Sequence, residues 1–351
     1  MQLHEINLPQ KILVGKNALE HVGKICLDLK INKKVAVLTG PNVKNIVGEK
    51  VCNIISDNGI ESELYVVKES SIEEAESIYN VLSHKNIEII IGVGGGKIID
   101  ISKLVSRRKG IPYMSIPTAA SHDGIASPIA SIKESNNVTS IISNPPLSVI
   151  ADVDVITRAP YRLTASGCAD VLAKFTSIKD WKLAKDRFGE YYGEYAASLA
   201  LMSATLVLKH RKGIRALSGD SIRTVIEALI SCGIAMCIAG SSRPCSGSEH
   251  LFSHALDVIA KKPALHGEQC GIGTIMMMYL HGGNWKRIRE TLSTIGAPTT
   301  AKELGVEENE IIEALVKARE IRKNRYTILN ERKLTLKEAE KIATITGVIR
   351  E

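Results

Sequence analysis

Between Lys34 and Ala120 the apolar positions fall in short β-branched runs, each followed by a stretch of helical period. "KVAVLTG" (34–40) reads as a buried strand ending in a turn, and "VKNIVGEKVCNIISDNG" as the helix after it. "SELYVV" (62–67) predicts the next strand, and "SIEEAESIYNVLSHKN" (71–86) an amphipathic helix opened by a Ser cap and acids. "IEIIIGVGGG" (87–96) is a strand running into glycines, "KIIDISKLVSRRKG" (97–110) the helix they start, and "IPYMSIPTAA" (111–120) a further strand. Strands and helices alternating at this spacing predict a parallel, doubly wound sheet. Beyond about residue 158 the β-branched runs stop. "YRLTASGCADVLAKFTSIKDWKLAK", "EYYGEYAASLALMSATLVLKHRKG" and "SIRTVIEALISCGIAMCIAGS" have helical period, as do His266 to His281 and Thr335 to Ile349. The pattern predicts an α/β domain over residues 1–158 and an all-α domain over 159–351, with the boundary near "ADVDVITRAP".

Composition narrows the function. The chain has 351 residues, 44% of them hydrophobic and 24% charged, enough for two globular domains. Lys and Arg are spread along the chain, so the net charge of +7 forms no basic stripe and nucleic-acid binding is not expected. Its densest run, Arg107-Arg108-Lys109, suits the end of a helix. Seven cysteines without a C-x-x-C pair argue for reduced thiols and a cytoplasmic protein. The N-terminus lacks the apolar core of a signal peptide, and no apolar run is read as spanning a membrane.

"GVGGGKIID" (92–100) fails two stock motifs. A P-loop needs Gly where Ile91 stands and a hydroxyl where Ile98 stands, and the dinucleotide fingerprint needs Gly where Lys97 stands. What remains is physical: Gly94, Gly95 and Gly96 let backbone N–H groups and a helix N-terminus approach an anion, so phosphate binding is expected. A plain tight turn needs only one glycine. The loop "SIPTAASHDGIASPIASI" (115–132) follows a strand and is rich in small hydroxylated residues. Thr118 and Ser121 are candidates for cofactor contact and Asp123 for substrate, although Ser and Asp also form ordinary turns. No acid follows the strand in "VLTGPNVK" (37–44), so a nicotinamide site here would accept NADP as well as NAD.

The stretch "SGSEHLFSHALDVIAKKPALHGEQCG" (246–271) holds three of the nine histidines. His250 and His254 lie one turn apart on one helix face, and His266 precedes a helix with a small-residue face. Asp170, among apolar neighbours in "SGCADVLAKF", is a carboxylate that needs a cation or donors. Asp170, His250 and His266 together make a mixed N/O set suited to Zn²⁺ or Fe²⁺, weighed against histidines that merely pack. His4, His21, His84, His210 and His281 read as ordinary packing or surface residues, and His122 is left open.

In "GVGGGKIIDISK", "SIPTAASHDGIASPIAS", "SGCADVLAK", "SGSEHLFSHAL" and "LHGEQCGIG" the chain resembles the metal-dependent polyol dehydrogenases. That superfamily includes glycerol dehydrogenases, iron-type alcohol dehydrogenases and dehydroquinate synthases. "PTAASHDGIASPIAS" with "RPCSGSEH" is most similar to the archaeal sn-glycerol-1-phosphate dehydrogenases within it, and the match runs from about Val35 to Met278. The resemblance implies a Rossmann-like domain and a helical domain with the active site in the cleft between them. It implies one zinc held by Asp170, His250 and His266. NAD(H) or NADP(H) is expected on Gly94, Gly95, Gly96, Lys97, Ile98 and Ile99, with Thr118, Ala119, Ala120, Ser121 and Ser127 on the nicotinamide side. Asp123, Asp170 and His254 face substrate, with Asp123 or His254 moving the proton.

The implied reaction is reduction of dihydroxyacetone phosphate to sn-glycerol 1-phosphate, the backbone of archaeal membrane phospholipids. Zinc polarises the carbonyl and the nicotinamide delivers hydride. A homo-oligomer without membrane insertion is expected. Arg243, Ser246 and Lys103 are proposed for the substrate phosphate on proximity alone. The rivals are a glycerol dehydrogenase, a dehydroquinate-synthase-like lyase and a non-catalytic nucleotide-binding module.

Overall fold

The computed structural model describes residues 3–134 and 137–350. Two compact units divide the chain, residues 1–120 with 124–160, and residues 121–123 with 161–351.

The first unit holds strands β1 (Lys11–Gly15), β2 (Lys34–Thr39), β3 (Glu61–Val66), β4 (Ile89–Gly94), β5 (Tyr113–Pro117), β6 (Ile129–Glu134), β7 (Asn137–Ile142) and β8 (Ser148–Asp152). Its helices are α1 (Val22–Asp28), α2 (Glu49–Asp57), α3 (Ile72–Leu82), α4 (Gly96–Lys109) and α5 (Val153–Thr157). Six strands form one all-parallel sheet in the order β1-β8-β5-β4-β2-β3. From β2 the chain steps outward to β3, then returns to β4 on the other side of β2. The carboxyl ends of β2 and β4 therefore flank the switch point, where open α/β sheets take ligands. Register pairs Thr39 with Val93, so the turns at Gly40 and Gly94–Gly95 lie side by side.

Helices cover both faces, so the central strands are buried throughout. Ile89, Ile91 and Val93 join Val35, Val37, Met114 and Ile150 in a core with Val22, Ile25, Val51 and Ile55 of α1 and α2. Each such side chain contributes about 1.5–3 kcal/mol of burial, which is why the strands read as continuous apolar runs.

Several sequence expectations change. β1 and β8 pair at one edge of the sheet and were not expected as strands. The loop of 115–132 is not all loop: β5 runs to Pro117, and β6 pairs with β7 as a separate antiparallel hairpin. The helix expected from Val43 begins as a wide π-helical stretch, Lys44–Gly48. Gly48 there packs so closely that a Cβ would stand 3.1 Å from Thr39.

The second unit is helical, with α6 (Tyr161–Leu172), α7 (Lys174–Phe188), α8 (Glu194–Arg215), α9 (Gly219–Ala239), α10 (Ser248–Ile259), α11 (His266–Leu280), α12 (Trp285–Ile295), α13 (Ala301–Leu304), α14 (Glu308–Lys317), α15 (Ile328–Arg332) and α16 (Leu336–Ile345). The single helix expected over 161–185 breaks at Ala173 into α6 and α7. α9, 21 residues long, is apolar enough to cross a membrane by length and composition, against the sequence reading. It packs along α8, and most of it is buried.

α11 has small-residue faces because two helices press on it. A Cβ on Gly267 would stand 2.0 Å from the Ser166 carbonyl oxygen of α6, one on Gly271 3.0 Å from Ala169, and one on Gly273 3.0 Å from the Glu249 carbonyl oxygen of α10. The Arg162 guanidinium of α6 clamps Glu268 of α11 through bonds of 2.6 and 2.7 Å. Gly267→Ala drives a methyl into backbone, and overpacking of this kind costs about 1–3 kcal/mol. Thermal unfolding should show a clearly lowered Tm, whereas Gly219→Ala, where a Cβ meets nothing within 4 Å, should leave it nearly unchanged.

Candidate active site

In the α/β unit the chemistry lies at the carboxyl end of β4. Gly95 is the N-cap of α4 in extended backbone, and no side chain caps it. The N–H groups of Ile98 and Ile99 donate to the Gly95 carbonyl at 3.0 and 3.2 Å, so those of Gly96 and Lys97 are the ones left without an intrahelical acceptor, and the space where a Gly95 side chain would stand is empty to 4 Å. Gly94 is needed for another reason, because its Cβ would stand 2.5 Å from Ile98. Three glycines therefore do two jobs: Gly94 allows a tight strand-to-helix turn, and Gly95 leaves the helix N-terminus open to an anion. The Thr118 N–H donates to the Gly94 carbonyl at 3.1 Å, extending the ladder so that Thr118, Ala119 and Ala120 lie beside the turn. The turn after β2 carries Gly40, Pro41 and Asn42 and no carboxylate. Ser127 is turned inward, its hydroxyl donating to the Ile129 carbonyl at 3.1 Å.

In the helical unit, α6, α10 and α11 bring Asp170, His250, His254 and His266 together. The two ring centroids of His250 and His266 are 5.0 Å apart, and those of His254 and His266 5.7 Å. His250 Nδ1 lies 2.8 Å from Glu249 Oε1, which fixes a proton there and leaves Nε2, 3.5 Å from Asp170 Oδ1, as the nitrogen placed to meet a metal once its own proton is lost. His266 Nδ1 lies 3.1 Å from the Ser253 hydroxyl, and its Nε2 is 3.5 Å from Cys270 Sγ. Ligand atoms of His250, His266 and Cys270 all lie within 4.8 Å of one another. Around a tetrahedral zinc, bonds of about 2.0–2.3 Å put ligand atoms roughly 3.3–3.8 Å apart. Separations of 3.5 Å at Asp170–His250 and Cys270–His266 match that spacing.

Asp170 is fully buried, and so is Lys174 one turn later, where α7 begins. The Lys174 ammonium lies 2.6 Å from Asp170 Oδ1 and 2.8 Å from Asp123 Oδ2. The Asp123 N–H closes the group with a 2.9 Å bond to Asp170 Oδ2. Burial opposes ionisation of Asp170, but Lys174 and His250 outweigh it and hold the carboxyl well below its ordinary range. Burial likewise opposes charge on Lys174, and Asp123 and Asp170 outweigh it. His250 is pushed up despite burial, by Cys270, Asp170 and Glu249. His266 is pushed well down, first by burial and then by the charge of His250. His254 is also lowered, chiefly by burial, and its Nδ1 is buried without a hydrogen-bond partner, 3.7 Å from Asp257 Oδ2.

Of the three residues expected to bind the substrate phosphate, Arg243 and Lys103 are committed to other partners. The Arg243 Nε donates to Glu190 at 2.5 Å, Nη2 pairs with the same carboxylate, and Nη1 donates to the Tyr326 carbonyl at 2.9 Å. The Lys103 ammonium is buried in the α/β unit, bonded to Asp100 at 2.9 Å and the Ile129 carbonyl at 2.6 Å. The Ser246 carbonyl accepts from Arg325.

Four residues at the site escaped sequence reading. Cys270 stands one turn from His266, a spacing that marks a shared helix face. Lys174 stands one turn from Asp170 and carried the same signal. Glu249 precedes His250 and is fully buried, which sequence does not show; it also accepts from Thr176 Oγ1 at 2.6 Å and Gly247 N at 2.7 Å. Asp180 is likewise buried and takes four donors: Ser248 N at 2.7 Å, Ser248 Oγ at 2.6 Å, Ile328 N at 2.7 Å and His281 Nε2 at 3.0 Å.

Residues 13–160 match the family model described as iron-containing alcohol dehydrogenase. The chain is 51% identical to glycerol-1-phosphate dehydrogenase (NAD(P)+) of Thermococcus sibiricus, over 99% of both chains. It is 52% identical to the protein of the same name from Pyrococcus horikoshii, over 99% of this chain and 100% of that one. Among solved structures it is similar to glycerol dehydrogenase from Schizosaccharomyces pombe, with a TM-score of 0.81 at 22% identity, covering 99% of this chain and 91% of that one.

Removing the cation from between a fully buried and a half-buried carboxylate should be severe: Lys174→Met is expected to lower unfolding stability by about 3–5 kcal/mol, read from denaturant titration of the metal-free protein. A second outcome follows from the raised pKa of His250 in the metal-free protein. A divalent metal must displace that proton, so its affinity should rise with pH until His250 loses the proton unaided. Calorimetric titration of Zn²⁺ in buffers of different ionisation enthalpy should show proton release.

Proposed function

The chain belongs to the glycerol-1-phosphate dehydrogenase family, and from that premise we propose that it reduces dihydroxyacetone phosphate to sn-glycerol 1-phosphate with NADH or NADPH, at a zinc ion held in the helical unit. The observation that carries this reading is the grouping of His250 Nε2, 3.5 Å from a buried Asp170, with His266 and Cys270, each imidazole held from behind by Glu249 or Ser253. Such a donor set fits a divalent ion, because an acid, two imidazoles and a thiol with supporting acceptors is a zinc-type environment.

Asp170, His250 and His266 are the proposed ligands. Cys270 is the neighbour that burial keeps protonated, against the opposing charge of His250. When bound, the ion polarises the substrate carbonyl and the reduced nicotinamide supplies hydride. The chain's own residues do the rest. Gly95, Gly96 and Lys97 offer backbone N–H groups to the cofactor's phosphates at the start of α4, with Gly94, Ile98 and Ile99 shaping the turn. Thr118, Ala119, Ala120 and Ser121 are proposed along the nicotinamide, with Ser127 supporting that loop from within. The absence of a carboxylate after β2 supports use of NADP as well as NAD. Asp123 faces substrate while Lys174 holds its carboxylate in place. His254, neutral near pH 7 because burial lowers it, has an unpartnered Nδ1 and is assigned the proton exchanged with the C2 oxygen.

The same reading places the protein in the cytoplasm, as a homo-oligomer, without membrane or nucleic-acid partners. The seven free cysteines support a reducing compartment, and α9 is mostly buried within its own unit.

The zinc-loaded enzyme should oxidise NADH or NADPH with dihydroxyacetone phosphate, and the product should react with an enzyme specific for the sn-1 enantiomer. Chelation or His266→Ala should reduce turnover by more than about 100-fold. Turnover of glycerol with NAD but none of the phosphate ester would assign a glycerol dehydrogenase instead. Cobalt substitution tests the ligand set separately. A thiolate ligand gives intense near-ultraviolet charge-transfer absorption, so its absence supports Asp170 and its presence assigns Cys270.

A further inference from the structure

A helix on the surface of a folded domain buries one side and turns charge toward water on the other. α12 does so: Ile288 and Leu292 are buried, and Lys286, Arg287 and Glu290 are exposed. α8 departs from that pattern. Its inner side, with Ala196, Ala197, Ala200, Ala204 and Val207, is buried where the helix packs along α9 and against α6, α7 and α12. Its outer side should then be charged, yet no Asp, Glu, Lys or Arg occurs from Tyr195 to Leu208. At 1.5 Å per residue that stretch runs for about 20 Å.

What faces outward there is apolar. Tyr195 is 87% exposed and Met202 53%, and Leu201 and Leu206 are exposed with them. Tyr195, Met202 and Leu206 follow one another at helical spacing and so form a single stripe. Ser198 and Thr205, both exposed and small, lie beside it, and the Thr205 hydroxyl is turned back to the Leu201 carbonyl at 2.8 Å. Short side chains at these places let a second helix come close.

Charge returns only at the ends of the helix, with opposite sign. Glu194 opens α8, and Lys209, Lys212 and Arg215 close it. The face is therefore complementary to a reversed copy of itself. A two-fold axis passing between Leu201 and Met202 sets Glu194 opposite the partner's Lys209 at both ends, and Ser198 opposite the partner's Thr205. A parallel copy would set Glu194 against Glu194 and Lys209 against Lys209. A helix that lies on lipid carries Lys and Arg along its flanks, whereas the flanks of this stripe carry Leu201, Ser198 and Thr205.

We propose that the outer face of α8 is an interface with a second copy of this chain, formed by antiparallel pairing of the two α8 helices about a two-fold axis. The pairing deepens the proposed homo-oligomer by naming its contact surface, and it does not depend on the reaction assigned to the site. Removal of the stripe from water drives association, and the Glu194–Lys209 pairs at its rim set the direction.

The test is sedimentation velocity of the zinc-loaded full-length chain over a range of micromolar concentrations. The wild type should sediment as a dimer or a multiple of one. Met202→Arg puts two guanidiniums beside the axis and should raise the dissociation constant at least about 100-fold. Because Met202 is exposed, its circular dichroism and Tm should match the wild type. Val81→Arg, at an exposed apolar position on α3, should leave assembly unchanged. Glu194→Lys and Lys209→Glu should each weaken self-association about 10-fold at low salt. An equimolar mixture of those two variants should recover it, since each chain then offers the charge that the other lacks. An assembly whose mass survives Met202→Arg would overturn this interface and leave the homo-oligomer standing. Dissociation by Met202→Arg without recovery in the mixture would overturn the antiparallel pairing. A monomeric wild type would overturn both interface and homo-oligomer, and its sedimentation with phosphatidylglycerol vesicles, lost in Met202→Arg, would assign the stripe to a lipid surface.

Discussion

The ammonium of Lys174 has no contact with water, and its charge decides how the helical unit can be built. Two carboxylates, Asp170 and Asp123, close around it at 2.6 and 2.8 Å. Without it, a fully buried Asp170 beside Asp123 and Glu249 would gather negative charge where water cannot screen it. With it, Asp170 remains ionised and keeps one side toward His250. The turn containing Ser121–Asp123 is held against the helices by the same ion group, helped by the Asp123 N–H. A structural ion cluster and a reactive site therefore share atoms, and a change to one cannot leave the other untouched.

Around that centre, fully buried carboxylates orient groups rather than react. Glu249 fixes the His250 tautomer while holding Thr176 and the backbone of Gly247. Asp180 takes the N–H and hydroxyl of Ser248 at the start of α10, and also reaches Ile328 and His281. It thereby ties the helix carrying two histidines to α7, α15 and the end of α11. Close helix approach completes the geometry, since Gly267, Gly271 and Gly273 let α11 sit against α6 and α10. Rings held by such partners lose little freedom when a ligand arrives, which is how a site gains affinity without new contacts.

The α/β unit works by different means. Its contribution comes from backbone, with an uncapped helix N-terminus and a glycine that leaves open space, at the carboxyl edge of a parallel sheet beside the reversal in strand order. Backbone donors bind the charge and shape of a phosphate with little regard to what it is attached to. The helical unit instead presents side chains, its histidines and carboxylates arranged by tertiary contacts. Arg243 illustrates the division: near the metal stretch in sequence, it serves as a brace to Glu190 and Tyr326.

The fold class was legible in the chain, because a parallel sheet buried on both faces writes continuous β-branched runs and a helical unit writes a period of 3.6. The glycine turn at the start of α4 and the pairing of His250 with His254 on one helix were legible too, since residue type and one-turn spacing survive in sequence. Edge strands β1 and β8 were not, as their partners lie more than a hundred residues away. Nor were the roles of Lys174, Glu249 and Asp180, because a charge reads as surface until packing removes its water. Cys270 was missed for the same reason: what a thiol does depends on which groups stand opposite it. Sequence by itself determined the elements and the chemical types at the site. Tertiary structure alone decided which charges are neutralised and which are left for a ligand, because desolvation and pairing are properties of neighbours in space.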